Sequence, residues 1–221
     1  MDWTALGLSL RLGLVTVALL VPLSFLLARW LAFARFRGRG FVEALVALPL
    51  ILPPTVVGFY LLTAFGRQSW FGRAFESLAG QPLVFSFEGL VLASLLVNLP
   101  FAVQPMQNAL AAIPRNVRDA ARCCGLSPLG AIRRIELPLA LPGIATAVVL
   151  TFAHTLGEFG VVLMVGGSIP GETRTIAIAI YDRVQAFDEH GAGVMALVLL
   201  VLSVAALWIT NAMARRMAGR T

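Results

Sequence analysis

From Leu12 to Ala28 the chain runs without a charged residue, closed on either side by Arg11 and Arg29, and comparable apolar stretches recur four more times. A bilayer core offers no water to bare N–H and C=O groups. Such segments must therefore satisfy their backbones internally, as helices of about 20 residues each. The first is near the short end of a crossing, so Arg11 and Arg29 are expected to lay their stems along it and hold their guanidinium groups at the interfaces.

Composition removes the alternative of a soluble fold. The chain is 59% hydrophobic and only 13% charged, about half the charged fraction of an ordinary soluble domain, and its mean hydropathy is +0.88. An all-α, polytopic membrane protein is expected, a single domain over residues 1–221 with spans at about 12–34, 44–65, 87–110, 142–165 and 192–214. Nothing before the first span resembles the basic start of a cleavable signal peptide, so Met1 onward is expected to stay in the mature chain.

All 17 basic residues are arginine, and the net charge is +6. Their placement beside apolar segments points to topology rather than to nucleic acid. Under the five-span scheme twelve arginines fall on one side, with Arg35, Arg37 and Arg39 in the turn RFRGRG and Arg215, Arg216 and Arg220 at the end. Four fall on the other: Arg67, Arg73, Arg174 and Arg183. The positive-inside bias then puts the N-terminus outside and the C-terminus inside. Cys123 and Cys124 are neighbours in a helical pattern without metal-ligand spacing, and are expected to be small buried-face residues in a reducing compartment.

Polar residues inside the spans mark the candidate pathway. Pro49, Pro53 and Pro54 must kink or break the second span, either to line a pathway or to help packing. The third span carries Asn98, Gln104 and Asn108, which face a pathway or bond neighbouring helices. In the fourth, His154 and Glu158 lie one turn apart. A membrane carboxylate has to be paired or hydrated, and His154 is its nearest visible partner. Gly157 and Gly160 flank it and allow a bend, a candidate gate or hinge. One His and one Glu make neither a metal site nor a protease motif. Residues 66–86 are expected as an external loop. Within 172–188, Ile176, Ile180, Val184 and Phe187 recur at helical spacing, an amphipathic segment that lies on the outer surface or dips into it.

The polar stretch at about 113–141 is expected on the inside. Pro114 and Gly125 frame one short helix, with Val117, Ala120, Ala121 and Cys124 on one face opposite Arg115, Arg118, Asp119 and Arg122. Ser127 and Pro128 open a second helix, which Pro138 is expected to end near Ile135 or Glu136.

This stretch resembles the "EAA" cytoplasmic loop of bacterial ABC-importer permeases. Asp119, Ala120, Ala121 and Gly125 are followed by Ile135, Glu136, Leu137 and Pro138, with aspartate replacing the usual glutamate. The run from His154 to Thr175, with GEFG, a GG pair, IPG and TRT, is similar to molybdate permeases and less close to sulfate and tungstate permeases. The resemblance implies a homodimer in the bacterial inner membrane, with two ATPase subunits inside and an extracytoplasmic molybdate-binding protein outside. ATP and magnesium are expected on the ATPase subunits, since no GxxxxGK[ST] occurs here. The chain itself is expected to bind no cofactor and not to be an enzyme. By the same resemblance Arg115, Val117, Arg118, Asp119, Ala120, Ala121, Cys124 and Gly125 form the ATPase-coupling element. An intramembrane enzyme using His154 and Glu158 lacks a nucleophile or third ligand, and a passive channel leaves the docking loop unexplained.

Overall fold

The computed structural model describes the backbone of residues 1–218, and the side chains of all of these except 210, 211 and 213–218. Arg220 and the side chains of Arg215 and Arg216 thus lie outside the described residues. Every described element is helical.

Helix α1 spans Trp3–Phe33, starting nine residues before the expected boundary. The Asp2 side chain accepts the Ala5 N–H at 2.9 Å and so caps the added turns. Arg11 is inside the helix, its guanidinium 4.3 Å above the Phe87 ring. A stripe of small residues that includes Ala5, Ser9, Gly13, Thr16, Ser24 and Ala28 is buried, which lets neighbouring backbones approach closely.

The second span is broken. Helices α2 (Arg39–Ile51) and α3 (Pro54–Phe65) meet at 109°, because Pro53 and Pro54 supply no backbone donor and Pro54 can only open a new helix. The following segment, expected as a plain loop, contains helix α4 (Trp70–Ala79), capped by Ser69 and tied by an Arg67–Glu76 ion pair of 2.9 Å. Helix α5 (Phe87–Ala111) is the centre of the bundle. Its most apolar window is 61% buried within the chain, against 11% for the last helix. Val103, Met106 and Leu110 of α5 pack with Ala28 and Leu31 of α1 and with Ala140 and Ala147.

Next come α6 (Arg115–Cys123), the short α7 (Pro128–Ala131), a π-helical turn (Ile132–Glu136) and α8 (Leu137–Gly157). Pro138 does not end the helix as expected. Pro128–Gly157 is one helical run of 30 residues, and the expected span start near 142 moves back with it. The wider π turn, closed by the Leu137 N–H on the Ile132 carbonyl, draws the preceding carbonyls away from the proline ring. The expected span 142–165 is instead divided: α8 stops at Gly157, Glu158 is extended, and α9 resumes at Gly160–Gly166.

Helix α10 (Ile176–Gln185) and α11 (Glu189–Ala218) complete the chain. The expected face of α10 holds only in part. Ile176 and Ala179 are buried with Ala5, Leu6 and Met195, and Ile178 with Leu8, Leu12 and Leu90, whereas Val184 is 52% and Phe187 92% exposed. The Ser9 hydroxyl accepts the Ile176 N–H at 2.8 Å. That bond fixes the first half of α10 against the bundle while its second half turns away.

Candidate functional site

The two broken helices meet. A Cβ added at Gly160 would come 2.7 Å from the Pro54 Cβ, and one at Gly58 would come 2.8 Å from the Met164 Cβ. Glycine is required for this approach. The break before α9 therefore rests directly on the start of α3, deep within the apolar part of the chain.

Three of the polar residues singled out from the sequence converge there. The Asn98 side-chain amide donates to the Ser94 carbonyl at 2.8 Å, which turns its Oδ1 towards His154 Nδ1 at 3.1 Å. An Nδ1–H donor fits that acceptor, and Nε2 then stands 3.7 Å from the Glu158 carboxylate, beyond hydrogen-bond reach. The other Glu158 oxygen accepts the Val161 N–H at 3.0 Å, capping α9. Glu158 is only 7% exposed, so of the two dispositions expected for it burial at a helix contact is present, and His154 stands beside it without a hydrogen bond between them. The Phe101 ring stacks on His154 with centroids 4.2 Å apart. No local pattern marks that contact, since Phe101 is one apolar residue among many.

Gln104 and Asn108 stand apart from this group. They lie six and ten residues further along α5, about 9 and 15 Å by helical rise, and Asn108 is exposed. Gly157 is the exposed last residue of α8, with open space where a Cβ would stand.

The second region is the end of the bundle where α6 lies. The left-handed turn expected at Gly125 is present, with φ +74°. The Gly125 N–H bonds the Arg122 carbonyl at 3.0 Å, and the Leu126 N–H bonds the Ala121 carbonyl at 3.1 Å, the double closure that ends a helix cleanly. Ser127 accepts the Gly130 N–H at 3.1 Å and starts the next helix.

The small-residue stripe of α6 is divided between two surroundings. Ala121 is 4% exposed and sits in a crevice of about 110 Å³ with Arg29, Leu126, Ile135 and Glu136 of its own chain. It is therefore closed to a partner, a correction forced by the return of α7 and the π turn beneath it. Val117 and Arg118 are half-buried, whereas Arg115, Asp119, Ala120, Arg122, Cys124 and Gly125 are exposed. Arg118 lays its guanidinium 3.5 Å from the Phe33 ring centre. Burial there pulls its pKa below the usual arginine range, while the Glu136 charge opposes that shift. Beside it a polar cleft of about 670 Å³ is lined by Arg35, Arg39, Arg115, Arg118, Arg122 and Asp119, so five of the twelve arginines assigned to the inner side gather at one end of the bundle. Cys123 and Cys124, expected on a buried face, are both exposed.

Two buried or half-buried contacts escaped the sequence. Arg29 grips Glu136 through Nε–Oε2 at 2.5 Å and Nη2–Oε1 at 3.2 Å. Glu43 accepts from Arg39 at 2.9 Å and from Gln107 at 2.7 Å. The Arg39–Glu43 spacing of four was a readable signal; the other two partners are remote in sequence.

A bundle with internally broken spans and a capped polar helix between spans at one end defines a membrane transport component. The chain belongs to the family described as "binding-protein-dependent transport system inner membrane component", whose model matches residues 21–219. It is thus a multi-pass inner-membrane permease component and not itself an enzyme. Among curated relatives, the molybdenum transport system permease protein ModB of Azotobacter vinelandii is 43% identical over 99% of this chain and 96% of its own length. The protein of that name from Escherichia coli is 35% identical over 97% and 94%. A probable sulfate transport system permease protein, cysT of Prototheca wickerhamii, is 29% identical over 94% and 81%. The fold is shared with a bacterial alginate ABC transporter crystallised with an alginate pentasaccharide-bound periplasmic protein, at TM-score 0.76 and 20% identity over 97% of this chain and 78% of that one. It is shared also with the MetNI methionine ABC transporter, at TM-score 0.70 and 17% identity over 98% and 94%.

Proposed function

We propose that this chain is the permease of an ATP-driven molybdate importer, working as a homodimer with two ATPase subunits on the inside and an oxyanion-binding protein outside. Near full-length likeness to molybdenum permeases carries the choice of cargo: 43% identity to one of them against 29% to a sulfate permease. The run from GEFG at Gly157 to TRT at Thr175 supports the same choice.

In this reading ATP and magnesium are held by the ATPase subunits, and α6 seats on them through Arg115, Asp119, Ala120 and Cys124. The pathway passes the meeting of the broken helices, where Asn98, His154 and Glu158 are tied to one another. Glu158 is buried and one of its oxygens is bonded to the Val161 N–H, which turns its charge into the protein and reduces its repulsion of a passing dianion. Closure of the ATPase pair shifts each permease as a packed body between inward- and outward-facing states.

The test is ATP hydrolysis by the purified complex, stimulated in turn by binding protein loaded with molybdate, tungstate or sulfate. Molybdate is expected to stimulate most strongly. A larger response to sulfate would replace the cargo assignment, and no response to any loaded protein would remove the importer reading.

A further inference from the structure

Glu136 is 3% exposed, yet it carries a carboxyl group, lies at the end of the π turn and is gripped through two nitrogens of Arg29 from 107 residues away. Only the carboxylate is out of water, since the Arg29 side chain stays 32% exposed, and a charge enclosed in this way is costly unless its partner is held in place. A pair of this kind is better suited to fixing one arrangement of elements than to adding stability.

The elements it fixes form a closed triangle. Arg29 joins α1 to the π turn. Arg118 of α6 lies over Phe33 of α1 at 3.5 Å, and Arg29 approaches the same ring at 5.8 Å. Ala121 of α6 shares its crevice with Ile135 and Glu136. Each of α1, α6 and the π turn is thereby held by the other two. Two arms alone would let α6 swing about the remaining contact; three do not.

We propose that Arg29 and Glu136 are positioning residues that make α1 travel with the coupling helix, so that a push on α6 reaches α1 and α8 as one rigid joint. The inference rests on the reading that α6 seats on an ATPase. The joint stays closed throughout the cycle, and the compliance lies elsewhere, at the breaks after Ile51 and Gly157.

The experiment uses the full complex carrying Arg29→Cys and Glu136→Cys, compared with and without a short, reducible bis-thiosulfonate linker. The unsubstituted complex, with its exposed Cys123 and Cys124, is the reagent control, and peptide mass spectrometry confirms the site of linkage. Stimulation of ATP hydrolysis by loaded binding protein should fall roughly two- to thirtyfold in the double variant, the range set by coupling networks. It should return on linking and be lost again on reduction. Glu136→Gln, a milder change, should lower stimulation in the same direction while the complex still co-purifies. Undiminished stimulation in both variants would overturn the proposal, as would a linker that blocks the cycle, which would mean that the joint opens. A fall in thermal stability with unchanged stimulation per assembled complex would reduce the pair to a structural role. If the unsubstituted complex answers to no loaded binding protein, the importer reading itself has failed, and that outcome is visible before any variant is made.

Discussion

A carboxylate beside an oxyanion route repels its cargo unless the protein shields it, and Glu158 is buried with one oxygen on the Val161 N–H and the other near His154. The two contacts make different demands on the side chain. Glutamine still offers an oxygen to the Val161 N–H but loses the charge that faces His154; alanine loses both. Loss of a helix cap typically costs about 0.5–2 kcal/mol, so Glu158→Ala is expected to lower the unfolding midpoint of the detergent-purified chain clearly, and Glu158→Gln much less. Equal midpoints for the two variants would show that the cap contributes nothing. His154 and Glu158 were visible in sequence because charged residues are scarce within spans and these two are one turn apart. Asn98 was visible as one amide among several, but its selection over Gln104 and Asn108 depends on where α5 crosses α8, which no local pattern encodes.

At the level of elements, α6 has an inner and an outer side that the sequence pattern alone did not separate. Ala120 and Ala121 are adjacent and chemically identical, yet the first is exposed and the second enclosed. Ala121→Trp should overpack the crevice and destabilise the permease by about 1–3 kcal/mol, even without any partner. Ala120→Trp should leave the unfolding midpoint of the isolated permease unchanged and instead impair capture of the ATPase subunit. Both are read by unfolding of the lone chain and by co-purification; the reverse pattern would mean that the faces are exchanged. Capping and turn chemistry was legible wherever it is local: Ser127, Gly125 and the Pro53–Pro54 break all occur at their expected positions. The misjudged element, the helix expected to stop at Pro138, depends on a widened turn that proline rules do not anticipate. The division of the fourth span at Glu158 was foreshadowed by flanking glycines, but its cause is the contact between Gly160 and Pro54, which are more than a hundred residues apart.

For the whole molecule, hydrophobic run lengths were enough to anticipate an all-helical bundle with four or five apolar spans, because lipid permits so few backbone arrangements. The packing order was not legible. That α5 is enclosed while α11 turns most of its surface outwards depends on side-chain shape summed over several helices. Charge at the inner end also sets how the complex is held. The cleft beside α6 carries five arginines and one aspartate, so binding of the ATPase subunits should weaken steeply as salt approaches 1 M, where screening acts within about 3 Å. Co-purification yield across a salt series measures this, and yields independent of salt would indicate an apolar contact instead. The enclosure of Ala121 has a consequence for how such a complex is made. With that methyl group turned inwards and Val117 half-covered, α6 presents mainly polar atoms to the cytoplasm and remains soluble when bare. If α6 is the ATPase seat proposed above, the permease is expected to insert and to wait in the bilayer before its ATPase is available.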